Sequence, residues 1–209
     1  MGNIITAEVT IKGKRPILWH WFGPDAIPLE KVERTGVAGN DPEEWRRSLL
    51  ATGDGQLYVD GTYIFSCLAG KEGGGKYVPK RRGTILTALA ATLQVLDDRV
   101  LIDRWLPGFP NGHAYDVRKA DVPERDPSLP VYLDVRSVVN PATKGRNVRY
   151  RVAASPGWSA TFTLQWDKTI VSRGEMESAM IQAGDLVGLG SGRRIGMGRF
   201  VTESFTVNE

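Results

Sequence analysis

One cysteine, Cys67, and two histidines, His20 and His113, are all that a chain of 209 residues offers in thiol or imidazole ligands. A single cysteine excludes an intramolecular disulfide, and with two histidines it cannot complete a Cys/His zinc cluster. Cys67 lies in an apolar run, 63–68, and reads as a buried thiol. No apolar stretch approaches the ~20 residues needed to span a bilayer. Residues 1–15 lack the hydrophobic region of a signal peptide. Gly2 and Thr6 fit the myristoylation spacing only loosely and read better as the start of a strand. The expectation is a cytoplasmic protein with no membrane partner, no cofactor and no metal. The excess of one sign of charge is small too, with 27 Lys and Arg against 24 Asp and Glu. The net charge is +3, and the pI of about 9.0 gives a mild bias towards anionic partners.

Glycine is abundant, with 24 residues, and five of them fall in one stretch, 185–200, reading DLVGLGSGRRIGMGRF. Gly188, Gly190, Gly192, Gly196 and Gly198 share it with Arg193, Arg194 and Arg199. Glycine admits positive φ and close approach of backbone to a ligand, and arginine brings a planar fork of donors suited to phosphate. A loop holding both can cradle a polyanion. A flexible glycine linker on a basic protein is the competing reading.

The rest of the chain places that loop. Residues 4–11 alternate apolar and polar, the period of a half-buried strand. An aromatic run, 17–22, follows, with His20 between Trp19 and Trp21. A helix is expected over 42–50, started by Asp41. In 57–65 the Asp60-Gly61 step predicts a hairpin, and the glycine run 70–76 predicts a mobile loop. Lys76, Lys80, Arg81 and Arg82 lead into a helix from Thr84 whose apolar residues Ile85, Leu86, Leu89 and Leu93 keep helical spacing. That puts the basic run at a helix N-terminus, where backbone N–H groups favour an anion. Strands are expected in 95–105, 131–139, 147–153 and 158–166, with a turn starting at Asn140-Pro141. Arg149 and Arg151 point the same way on one strand and, with Lys144 and Arg146, predict a basic rib. An amphipathic helix over 174–183 turns Met176, Met180 and Ile181 inward, and a last strand covers 199–207. The order is that of a split βαβ, ferredoxin-like α+β domain. Its sheet is antiparallel with helices on one face. One domain, 1–209, is expected, carrying irregular insertions at about 23–80 and 106–130.

A loop of the form GhGxGRxxGhG between the last helix and last strand of such a domain resembles the RAMP superfamily, the RRM-like proteins of CRISPR–Cas effector complexes. Here it runs from Gly188 to Gly198. The segment Lys76-Tyr77-Val78-Pro79 is similar to the stretch these proteins place before their first helix, close to guide RNA in the backbone subunits. The aromatic run from Pro16 to Trp21 and the NPxTKxRxVRYR-like segment 140–151 also resemble a set of phage-borne proteins. At 209 residues the chain is shorter than many CRISPR backbone subunits.

Three functions follow from these residues. The first is sequence-independent binding of single-stranded RNA or DNA, guide RNA above all. The protein would be a repeated subunit that contacts other copies of itself and other effector subunits. It needs cations along a phosphate backbone and faces on which bases stack. The cations are Lys76, Lys80, Arg81, Arg82, Arg146, Arg149, Arg151, Arg193, Arg194 and Arg199. The stacking candidates are Trp19, Trp21 and Tyr77, with a place in the core as the alternative for the tryptophans. The second, which the resemblance implies, is metal-independent RNA processing with His20 or His113 as general acid or base. A packed structural role competes for His20. Asp25 and Asp41 fall where some relatives carry a cleaving aspartate. Asp97, Asp98 and Asp103 read as solvated or paired charges rather than a metal cluster. The third is a phage or assembly protein, binding single-stranded DNA or no nucleic acid at all.

Overall fold

The protein is described by a computed structural model covering residues 2–23, 41–109, 116–139 and 144–208. Asp25, His113, the turn at 140–141 and most of the 23–40 segment lie outside the described residues.

The strand of 4–11 forms as β1, Ile4–Gly13. Its alternation buries Ile5, Ala7, Val9 and Ile11 and leaves Ile4, Glu8 and Lys12 exposed. β1 is central. β8 (Ser159–Asp167) lies antiparallel on one side, with Val9 opposite Phe162. β9 (Phe200–Asn208) lies antiparallel on the other, with Val9 opposite Phe205 and a bulge at Thr10/Ile11. Beyond β8 come β4 (Gln94–Val95) and β5 (Arg99–Trp105), and β3 (Gln56–Asp60) pairs with β5. Helices α2 (Gly61–Ala69) and α3 (Leu86–Thr92) connect β1 to β4, and α4 (Arg173–Gln182) connects β8 to β9. Each crossover skips one strand. The fold is therefore α+β and ferredoxin-like, with an antiparallel sheet, as the element order predicts.

The order differs from expectation at α2. The Asp60-Gly61 step starts a helix and not a hairpin. Asp60 is its N-cap, accepting from Thr62 N at 2.9 Å and Thr62 Oγ1 at 2.6 Å. Ile64, Cys67 and Leu68 then bury one face at i, i+3, i+4 spacing. Gly61 is needed because the chain passes close behind it. A Cβ there would sit 2.4 Å from the Asp97 carbonyl oxygen. Residues 70–77 also differ. They are a packed turn rather than a mobile loop. A Cβ on Gly74 would lie 2.1 Å from the Ala179 carbonyl oxygen, and one on Gly75 would lie 2.8 Å from Leu89 Cδ2.

Helix α4 opens with a reciprocal cap. Ser172 N donates to Glu175 Oε2 at 2.8 Å and Ser172 Oγ accepts from Glu175 N. Met176, Ala179 and Met180 turn inward, while Ile181, expected inside, is 47% exposed. It stands one position past Met180, the last of the i, i+3, i+4 set, and so about 100° further round the helix. Trp158, Phe162, Trp166, Phe200, Ile64 and Leu68 fill the core of this part. Burying an aliphatic or aromatic side chain contributes roughly 1.5–3 kcal/mol.

The chain divides into two compact units, Met1–Ile17 with Tyr58–Asp103 and Pro156–Glu209, and Leu18–Leu57 with Arg104–Ser155. The second holds a smaller sheet in the order β2 (Ile17–Leu18), β7 (Arg146–Ala154), β6 (Val131–Val139). β6 and β7 pair antiparallel from Val131–Ala154 to Val139–Arg146. They are buried where residues 131–134 meet 150–154, and more exposed towards 139 and 146. Helix α1, Glu44–Ser48, is shorter than 42–50, and Asp41 Oδ1 accepts from Glu43 N ahead of it.

Candidate nucleic-acid interface

The glycine–arginine loop is built by its backbone. All five glycines take positive φ, from +70° at Gly198 to +84° at Gly188. Gly198 also has no room for a side chain, since a Cβ would sit 1.8 Å from the Leu189 carbonyl oxygen. The loop is pinned at both ends. Leu189 N donates to Gly198 O at 2.9 Å, Gly198 N to Pro16 O at 2.7 Å, and Lys14 N to Arg199 O at 2.7 Å. At the tip a single tight turn, Arg193–Ile195, closes with Ile195 N donating to Gly192 O. A fixed loop thus replaces the flexible linker that its composition also allows.

Arg193 and Arg194 project from that tip, exposed and without an ion-pair partner among the described residues. Beneath them lies an open pocket of ~160 Å³, lined by Thr62, Tyr63 and Ser66 of α2 with Gly190 and Arg193 of the loop. The Tyr63 and Ser66 hydroxyls and a guanidinium line it, groups able to donate to phosphate or sugar oxygens, whereas the Thr62 hydroxyl already donates to Asp60. The Tyr63 hydroxyl is pushed above its ordinary pKa by burial and then by Asp60, so it stays a neutral donor at neutral pH. Thr62, Tyr63 and Ser66 are not picked out by sequence, because 57–65 reads as a hairpin there. Their signal is the helical spacing of Ile64, Cys67 and Leu68.

The other candidates in this unit divide. Arg81 and Arg82 are exposed on a turn in which Lys80 N donates to Gly83 O, and neither has an ion-pair partner among the described residues. Lys76 pairs with Glu72, and Lys80 with Glu175 at 3.7 Å and the Ile170 carbonyl at 3.1 Å. Both are held before any ligand arrives. Helix α3 begins only at Leu86 and spans seven residues, so the basic run sits on the turn before it rather than on a helix end. Tyr77 is 40% exposed. Arg199 is half-buried, and its Nη1 is buried without a hydrogen-bond partner. Asp97 and Asp103 accept from the backbone N of Thr163 and Ser159 and serve the sheet.

The remaining candidates belong to the second unit. The basic rib is only partly a surface. Arg146 is exposed, but Arg149 Nη1 donates to Glu44 Oε2 at 2.7 Å and Arg151 is buried. Trp19 is buried at 2%, with its N donating to Val152 O, and presents no face to a base. Trp21 is half-buried and its N donates to Ser48 O. His20 is half-buried, and its pKa is lowered by burial and then by Arg151, which keeps it neutral at neutral pH. Phe22, next to the predicted stacking pair, is the exposed aromatic of this run. Among the described residues no helix is long and apolar enough to cross a membrane.

No family model matches the chain, and no curated protein matches it. Among solved structures it is similar to a chain in a cryo-EM structure of the Type III-B Cmr-beta bound to cognate target RNA, at 13% identity and a TM-score of 0.47. The match covers 99% of this chain and 61% of that one, so this chain spans about three fifths of the length of the solved chain it resembles.

Proposed function

We propose that this protein binds single-stranded RNA without sequence preference, through the glycine–arginine loop and the hydroxyl pocket beside it. It does so as a repeated, non-catalytic subunit of a ribonucleoprotein assembly. The observation that carries the reading is the rigid presentation of two unpaired arginines. Backbone hydrogen bonds pin the loop at both ends, five glycines allow the positive φ this shape needs, and Arg193 and Arg194 stand on its tip without ion-pair partners among the described residues. A preformed anion cradle binds without first paying the ordering entropy of a loose loop. Arg81 and Arg82 supply further unpaired charge in the same unit. The resemblance of 188–198 to the RAMP loop agrees with guide RNA as the ligand.

The test is a double charge reversal, Arg193→Glu with Arg194→Glu, in a mobility-shift assay on a long single-stranded RNA at low salt. The expected result is loss of binding by at least tenfold with an unchanged circular-dichroism spectrum and melting temperature. Normal binding by the folded double variant overturns the proposal.

A further inference from the structure

In the second unit, the carboxylates of the β6–β7 face already have their cations, and one arginine is left over. Both carboxylate oxygens of Asp134 are held by Arg136. Glu44 accepts from Arg149 Nη1 at 2.7 Å and from Tyr150 N at 2.8 Å. Arg151 stands across the ladder from Asp134. It is 8% exposed, its Nε is buried without a partner, and its side chain donates no hydrogen bond to a described residue. The charged and titratable groups that act on it and on its neighbour His20 are Arg149, Arg136, Glu44 and Asp134. Among the described residues, three guanidiniums against two carboxylates leave one positive charge unneutralised.

A buried charge without a partner is strongly unfavourable. A lysine could escape by losing its proton, but an arginine cannot at physiological pH. Burial and Arg149 both push the Arg151 pKa down, a sign of how unwelcome the charge is here. The carboxylates nearby cannot serve it without abandoning Arg136 or Arg149. Among the described residues no partner is left for Arg151, and a bound anion would supply one. The Arg149 side chain is one-third exposed and His20 half-buried, so the cluster is open to solvent on their side.

We propose that Arg151 is the centre of an oxyanion site in this unit, taking a phosphate group with Arg149 and the His20 imidazole at its rim. Arg151, Arg149 and His20 offer two guanidiniums and an imidazole, and a tetrahedral group with three or four acceptor oxygens can satisfy more of these donors than a planar carboxylate does. The site goes beyond the loop-based RNA binding proposed above and does not depend on it. Its phosphate comes either from a nucleic-acid strand or from a small phosphate ion.

The experiment titrates the full chain with inorganic phosphate and, at matched ionic strength, with chloride. Thermal melting and the Arg151 Nε–H resonance are followed. Phosphate raises the melting temperature in proportion to the logarithm of its concentration above Kd, by roughly 5–10 °C at a hundredfold excess. It moves the Arg151 resonance and raises the His20 pKa, since an anion opposes the field of the arginines. Arg151→Met loses the thermal response, whereas Arg81→Glu with Arg82→Glu keeps it. Should Arg151→Met not fold, the wild-type resonance decides alone. Equal responses to phosphate and chloride, with an unmoved Arg151 resonance, overturn the site. Competition with an oligouridylate separates the sources. Displacement of phosphate assigns the site to a strand, and no displacement assigns it to the free ion. The Arg193→Glu, Arg194→Glu variant keeps the phosphate response, so failure of this site and failure of the loop are told apart.

Discussion

Replacing Gly198 by alanine is the sharpest single perturbation of the loop. Its φ is +70°, a region that costs an L-residue about 1–2 kcal/mol. The added Cβ would also lie 1.8 Å from the Leu189 carbonyl oxygen and 2.7 Å from the carbon and nitrogen of the same residue. These are backbone atoms and cannot swing away, so the two strands of the loop must part. Parting strains the bonds from Leu189 N to Gly198 O and from Gly198 N to Pro16 O, each contributing about 1 kcal/mol. The sum is a destabilisation of about 3–4 kcal/mol, or roughly 6–16 °C in melting temperature for a chain of this size. Gly196 is the control. Its φ is +81°, but nothing lies within 4 Å of its Cβ position, so Gly196→Ala costs only the conformational term of about 1–2 kcal/mol. Thermal melting of the two variants side by side is the assay. Equal melting temperatures would refute the claim that close backbone approach, and not φ alone, sets the loop.

Three further outcomes are expected. Asp60→Ala removes the α2 cap and lowers stability by about 1 kcal/mol, read by urea titration. Glu44→Gln leaves Arg149 without its carboxylate, destabilises the second unit by about 1–3 kcal/mol after allowing for the part-exposure of that pair, and lowers the His20 pKa further, read by NMR titration. Burial pushes the Cys67 thiol up to about 12 from an ordinary 9.0. The unfolded chain therefore loses that proton first, and stability falls as pH rises from 9 towards 12. In the native protein a thiol reagent at pH 8 should label Cys67 only as fast as the chain opens, whereas immediate labelling contradicts its burial.

The parts of the fold with strict periodicity are legible in the sequence. β1, β6, β7, β8 and α4 follow from alternation or helical spacing within a residue or two, and with them the ferredoxin-like order. What is not legible depends on distant chain. Asp60-Gly61 looks like a hairpin turn because a glycine after an aspartate suits one. Here the glycine answers to the Asp97 carbonyl passing behind it. The run 70–76 looks mobile because glycine is flexible alone, whereas Gly74 and Gly75 are small so that α4 and α3 can approach. Arg149 and Arg151 look like a phosphate-tracking rib, but Glu44, over a hundred residues earlier, claims the first, and the sheet buries the second. The loop itself was legible in composition and motif. What composition does not record is the set of backbone bonds that pin it to distant chain, at Pro16 and Lys14.

The central claim is that unpaired arginines on a fixed loop hold a single strand through its phosphates. The most direct measurement is the affinity of the wild-type chain for a long single-stranded RNA as a function of salt. Contacts from Arg193, Arg194, Arg81 and Arg82 predict a slope of log K against log salt near −3, at ~0.7 per contact. Binding then weakens roughly 50-fold between 50 and 200 mM salt. No complex at 50 mM salt, or a complex whose affinity is unchanged at 200 mM, would contradict the account.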